Sequence, residues 1–302
     1  MHLVLYFHKV DGINNTGTCY TVYYPYIKYF KDNKANFKYV HAYSSKILDK
    51  MSPQAINRKY SSVIVFPIYH TKKFPKKLDH FLSQIKIPKY LYLDDLQVRS
   101  KHVKLGKLYK KFHKVICTYP YLINKFYNFV TPDQIIPLYH VPVFPYIPDL
   151  RIQQKKRFLL TGSRRPEYKI RNHLSTLVNK YPIDSHTKYI PQNVYYKLIN
   201  SYKFCFATPS IFKYIVCKHF EIPYAGSILV CYDSIKDQLN KIGFYHMKNC
   251  IMFNYSNLDD IIKFGLDSEN SEELETIRLN GISLINENHT IKNRIEILEN
   301  IL

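Results

Sequence analysis

The chain has 302 residues, 46% of them hydrophobic, with 29 Tyr, 18 Phe and no Trp. That is apolar content enough for one large or two medium cores, and it excludes a disordered chain. The formal net charge is +21, and the excess lies early: residues 1–150 hold 23 Lys and Arg against 8 Asp and no Glu. A basic first half points to an acidic partner, an anionic surface or a phosphorylated substrate.

The opening apolar run at 3–7 is too short for the core of a secretory signal and reads as a first strand. Strand-like runs recur at 37–41, 63–66, 90–93, 115–117 and 135–140, and helical segments are expected at 18–30, 76–85, 103–112 and 119–129. Such alternation, without tandem hairpin turns, predicts an α/β fold with a parallel sheet. Residues 137–148, PLYHVPVFPYIP, carry four prolines and read as an extended strap. It divides a first domain, 1–145, from a second, 146–302.

The second half repeats the scheme. Strands are expected at 157–161, 204–207, 228–231 and 250–253, and helices at 168–179, 194–200, 213–220, 235–241 and 258–265. Two further helices are expected in the tail, broken near Asn288-His289-Thr290, with Thr290 and Asn288 both suited to cap the last one. The expectation is two Rossmann-like domains facing a cleft. No apolar run reaches the roughly 18 residues of a membrane span, so a soluble, cytoplasmic protein is expected. The six cysteines form no CxxC pair, which argues against a zinc ribbon or a disulfide framework.

Two stretches can carry chemistry. After the strand at 157–161 comes Gly162-Ser163-Arg164-Arg165, then a helix with Tyr168 and Arg171. Glycine lets a ligand approach the backbone, a helix start favours an anion, and arginines fork onto phosphate oxygens. The same residues would also suit an ordinary strand-end turn. The second stretch, 202–232, is a βαβ unit with Thr208-Pro209-Ser210, then Lys218 and Glu221 on a helix, then Gly226-Ser227. Ligands of parallel sheets sit beyond the carboxyl ends of the strands, where these residues can gather. The cations suit a diphosphate and the carboxylate suits the paired hydroxyls of a ribose. Together they describe a nucleotide-sugar.

The pieces LLTGSRRPEYKIRNHL, YYKLINSYKFCFATPS, KHFEIPYAGSILV, IGFYHMKNCIMFNYSNLDDIIKF and NGISLINENHTIKNRIEIL resemble, in order, the donor-binding domain of group-one glycosyltransferases of the GT-B fold. The first half resembles them only in architecture. The resemblance implies transfer of a sugar from a UDP- or GDP-sugar to a hydroxyl acceptor on a glycan, protein or lipid-linked molecule, without metal or other cofactor. It implies a donor site built from Gly162, Ser163, Arg164, Arg165, Arg171, Ser210, Lys218, Glu221, Gly226 and Ser227. Retaining members usually carry two glutamates separated by seven residues; Glu221 matches the second, and Lys213 stands at the first.

The first half must then supply the acceptor site and a base. His8, Asp11, Asp94, Asp95 and His140 are the candidates at strand ends. Two alternatives stay open. In a GT-A type enzyme, Asp94 and Asp95 of KYLYLDD would hold a metal. In a non-catalytic nucleic-acid binder, the basic first half would grip phosphates. The glycosyltransferase reading expects no nucleic acid, and allows contact with an anionic surface.

Overall fold

The computed structural model describes residues 1–7, 24–41, 45–66, 74–94, 96, 110–127, 130–142 and 145–302. Its contacts divide the chain into two compact units, Met1–Tyr139 with Arg294–Leu302, and His140–Asn293. Each holds one sheet, and every strand pair within both sheets is parallel.

The first sheet has six strands: β1 His2–Tyr6, β2 Phe37–His41, β3 Ser62–Phe66, β4 Lys89–Leu93, β5 Lys114–Cys117 and β6 Ile135–Pro137, in the order β2-β1-β3-β4-β5-β6. Strands β3 and β4 are buried at every position, as expected of parallel strands covered on both faces. A ring cluster of Phe30, Phe66, Tyr26 and Tyr92 packs on them, Phe66 and Tyr92 stacked at 5.0 Å. The strand expected at 135–140 stops at Pro137. The helix expected at 119–129 is a 3-10 turn, Pro120–Leu122, followed by one α-turn, Ile123–Phe126. The helix expected at 103–112 falls largely outside the described residues.

The second sheet has five strands: β7 Lys155–Thr161, β8 Ile183–His186, β9 Tyr202–Ala207, β10 Ile228–Tyr232 and β11 Ile251–Phe253, ordered β11-β10-β9-β7-β8. Strand β8, IDSH, has no place in the sequence reading, because an edge strand with one buried residue lacks an apolar run. Phe158 and Phe204 stack at 4.5 Å in the core, with Phe206, Val230, Ile251 and Phe253 beside them.

The tail forms two helices, Ser271–Asn288 and Ile291–Glu299, broken at His289 and Thr290. Thr290 takes the cap: its backbone N–H donates to Asn293 Oδ1 at 2.9 Å, and Asn293 N–H donates back to Thr290 Oγ1 at 3.4 Å. Its end belongs with the first unit and not, as the sequence suggested, with the second. Arg294 Nε donates to Tyr139 O at 3.1 Å and Tyr90 Oη donates to Ile301 O at 2.6 Å. The unit boundary falls at 139/140, ahead of the expected 145/146. Among the described residues no helix is long and apolar enough to cross a membrane.

Strand order fixes where ligands can enter. In the second sheet the chain runs from β7 to β8 on one side, then returns to lay β9 on the other. The loops leaving the carboxyl ends of β7 and β9 therefore diverge, opening a crevice between them. In the first sheet the same switch lies between β1 and β3, and the loops that follow them, 8–23 and 67–73, fall outside the described residues.

Candidate functional site

The crevice at the β7/β9 switch collects three cations around one glycine. Gly162 follows β7 with φ at +104°, a backbone that side chains rarely adopt. A Cβ there would lie 2.8 Å from Lys218 Nζ and 2.9 Å from Arg171 Nη1. Glycine is required twice over, by conformation and by the cationic heads pressed against it.

Lys218 opens the helix Lys218–Tyr224, reached from β9 through the loop 208–217. Its Nζ donates to Thr161 O at 2.5 Å and to Thr161 Oγ1 at 2.7 Å, fixing the ammonium over the end of β7. Burial pushes its pKa down to about 7, with the Arg171 charge acting in the same direction. Arg171, on the helix Lys169–Thr176, is 5% exposed; its Nη1 donates to Ser163 O at 3.0 Å and its Nε to Thr208 Oγ1 at 3.3 Å. The guanidinium lies 4.0 Å over the Tyr168 ring, a cation–π contact. Arg164 Nη1 folds back to Gly162 O at 2.9 Å, and its Nη2 reaches Ser185 Oγ at 2.5 Å. Like charges this close are held together by backbone and hydroxyl acceptors. Their mutual repulsion is what a bound anion would relieve.

Glu221 stands one turn along the helix from Lys218 and is 6% exposed. Gln192 Nε2 donates to Glu221 Oε1 at 2.9 Å, and the Tyr196 hydroxyl also bonds the carboxylate. Burial raises its pKa to about 7, against the pull of Lys218. The two charges act on each other through space, and the carboxylate's hydrogen-bond donors, Gln192 and Tyr196, are neutral.

The structure thus brings together Gly162, Arg164, Arg171, Lys218 and Glu221. Ser163 and Arg165 are exposed in the adjoining turn. Ser210 is buried in the β9 loop, where its Oγ accepts from Phe212 N–H at 3.2 Å. The helix expected at 168–179 runs from Lys169 to Thr176, and the residues between it and Gly162 form a turn in which Tyr168 N–H donates to Arg165 O at 3.0 Å.

Gly226 and Ser227 do not join the group. They precede β10, at the amino end of a parallel sheet, whereas Gly162 follows the carboxyl end of β7. A strand of five residues separates these ends by about 16 Å. Their work is structural. Ser227 Oγ bonds Ile199 O at 2.7 Å and Tyr202 O at 2.8 Å, and Gly226, at φ +87°, gives its carbonyl to Gln154 and Arg278. Ser227→Ala is expected to cost about 1–3 kcal/mol of stability and leave nucleotide affinity within twofold, read by denaturant unfolding and calorimetry.

Thr161, Thr208, Gln192 and Tyr196 are parts of the site that the sequence reading left without a role. Each positions a charged group, and a neutral hydroxyl or amide at a strand end or helix start leaves no pattern to find.

In the first unit, Asp94 is buried directly beyond β4, close enough to raise the Cys117 thiol pKa beyond what burial does. His8, Asp11 and Asp95 lie outside the described residues. His140 is buried at the start of the second unit. Among the described residues no group of three or more His, Cys, Asp or Glu could hold a metal ion.

No protein-family model matches the chain, and no curated protein matches it in sequence. Solved structures do match in shape. An alpha-glucosyltransferase in complex with UDP-glucose and DNA containing an abasic site superposes with a TM-score of 0.61 at 10% identity, over 99% of this chain and 98% of that one. HepE from Anabaena, in complex with UDP and glucose, gives 0.59 at 12% identity over 100% and 99%. A glycosyltransferase from Rickettsia africae gives 0.58 at 8% identity over 99% and 97%. Two all-parallel sheets, each with its own switch point, and whole-length likeness to these proteins establish the architecture: the chain has the GT-B fold of glycosyltransferases.

Proposed function

We propose that the protein is a glycosyltransferase that moves a sugar from a UDP-sugar to a hydroxyl acceptor without a metal ion. The observation that carries this reading is the convergence of Lys218, Arg171 and Arg164 on Gly162, with the buried Glu221 one helical turn away. A diphosphate supplies the negative charge those cations lack. As the bond between the anomeric carbon and the diphosphate oxygen breaks, charge grows on that oxygen, and fixed cations stabilise it. The acceptor hydroxyl attacks the anomeric carbon and gives its proton to a base; Asp94 and His140 are the described candidates. UDP is favoured as the carrier because the similar structures hold it. The GT-A alternative loses its ground with the GT-B fold.

The acceptor is a hydroxyl-bearing glycan, protein or lipid-linked molecule. Two of the similar structures contain DNA, and the basic first half of this chain suits a polyanion, so the acceptor class extends to hydroxyls carried on nucleic acid. Calorimetric titration with UDP tests the donor reading. Saturable binding, unchanged in EDTA, is expected; abolition of binding by EDTA, with recovery on adding Mn²⁺ or Mg²⁺, would show that a metal does the work assigned to the arginines.

A further inference from the structure

The chain enters β7 through residues 145–154, and that loop is fastened to the second unit at both ends. Tyr146 stacks on Tyr196 at 5.5 Å, and its N–H donates to the Tyr224 hydroxyl at 3.1 Å. The buried Asn200 Oδ1 accepts from the Tyr146 hydroxyl and from Asp149 N–H, each at 3.2 Å. Gln154 Nε2 donates to Asn200 O at 2.8 Å and to Gly226 O at 2.9 Å. Pro148 fits against Gly226, where a Cβ would come within 2.9 Å of its ring.

Between these anchors the aliphatic side chains stand out in water. Ile147 is 92% exposed, Leu150 47% and Ile152 41%, and no other large hydrophobic side chain among the described residues is as exposed as Ile147. Holding three aliphatics outward within six residues costs hydrophobic free energy that a cover would recover. The surroundings are basic. Residues 145–157 hold Arg151, Lys155, Lys156 and Arg157 against Asp149. Asp149, Asp184 and Glu275 are each paired with an arginine, Arg151 at 3.7 Å, Arg157 at 2.7 Å and Arg278 at 2.5 Å. Lys155 and Lys156 are exposed and keep the rim positive.

We propose that this loop docks the protein on an anionic bilayer, with Ile147, Leu150 and Ile152 at headgroup depth and Arg151, Lys155 and Lys156 on lipid phosphates. A stable protein interface takes about 800 Å² from each partner, and three aliphatic tips on one short loop, ringed by charge, offer a small part of that. A bilayer asks less: a few aliphatics at its boundary, drawn in by basic side chains around them. The loop feeds the amino end of β7, and Gly162 follows the carboxyl end about 20 Å away. Docking therefore leaves the crevice of the same unit open to solution, and it needs no nucleotide.

The chain has no Trp, so one placed in the loop reports on that loop alone. Full-length Ile147→Trp is mixed with vesicles of phosphatidylcholine, with or without phosphatidylserine. With the anionic vesicles its emission is expected to move to shorter wavelength and to be quenched by brominated lipid. Tyr255→Trp, an exposed reporter beyond the carboxyl end of β11, is expected to show neither change. Without a reporter, Lys155→Gln with Lys156→Gln should weaken binding to anionic vesicles roughly tenfold or more. Ile147→Ser with Leu150→Ser should do the same, at an unchanged melting temperature. Absence of vesicle binding overturns the proposal. So does binding that leaves the Ile147→Trp emission unchanged or quenches both reporters alike, which would assign the contact to the lysines of the first unit. A shift that grows with protein concentration in the absence of lipid overturns it too, because a second copy would then be the cover.

Discussion

In Lys218→Met, affinity for UDP is expected to fall roughly 10- to 100-fold while the melting temperature holds or rises. Hydrogen bonds to charged groups contribute about 1.5–3 kcal/mol, and the factor follows from that loss. Stability moves the other way because burial disfavours the ammonium. Burial and the neighbouring Arg171 push its pKa from 10.5 to about 7. Replacing a buried charge with an apolar chain of similar length is often neutral or stabilising. The offsetting loss is the donor to Thr161 O at 2.5 Å. The pH dependence separates the two effects. Between about pH 7 and 10.5 the unfolded chain binds the proton that the folded chain releases, so wild-type stability rises with pH across that window. Lys218→Met lacks this rise. A bound diphosphate restores the ammonium, so UDP binding above pH 7 takes up a proton and weakens with rising pH. Calorimetry in two buffers of different ionisation enthalpy reads that proton directly. Unchanged UDP affinity in the variant would remove Lys218 from the donor site.

The legible parts of this fold were those in which apolar runs end in residues of distinct chemistry. Strands β7, β9 and β10 announce themselves as LLT, FCFA and ILVC between helices, and Gly162 with its arginines follows the first of them. Strand β8 was hidden because an edge strand buries little, yet it supplies Ser185, which holds Arg164. The helix expected from 213 begins at Lys218, because Lys213 has left-handed backbone and the loop is bonded to the Gly162 segment instead of to its own next turn. Local pattern places residues along the chain but does not say which end of a sheet they occupy. Gly226 and Ser227 look as suitable for a ligand as Gly162 and Ser163. Only the strand direction separates the two pairs. The tail misled for a related reason: its helices were legible, while the partner of the last one, Tyr139 and Tyr90 of the first unit, is a tertiary choice.

Glu221→Gln is expected to weaken UDP binding by roughly 10- to 100-fold, since a charged acceptor of two ribose hydroxyls becomes a neutral amide with one acceptor oxygen. The structure narrows what the residue can be. At 6% exposure it is no helix-surface carboxylate. It is not locked to Lys218 either, because its bonds come from Gln192 at 2.9 Å and the Tyr196 hydroxyl. Those neutral donors orient the group without cancelling its charge, an arrangement suited to a ligand's hydroxyls. Burial raises the carboxyl pKa from 4.5 to about 7. Between those values the folded chain binds a proton that the unfolded chain has released, so wild-type stability falls as pH rises through the window. Glutamine does not titrate, and the variant should therefore gain melting temperature over the wild type as pH rises from about 4.5 to 7. Binding gives the sharper reading. Wild-type protein should prefer UDP over 2′-deoxy-UDP by about tenfold, and Glu221→Gln should bind the two within about twofold, because the lost contact is the one that counted hydroxyls. A variant that keeps the full preference for the ribose would leave Glu221 as a buried structural acid, and some other group of the crevice would have to read the sugar of the nucleotide.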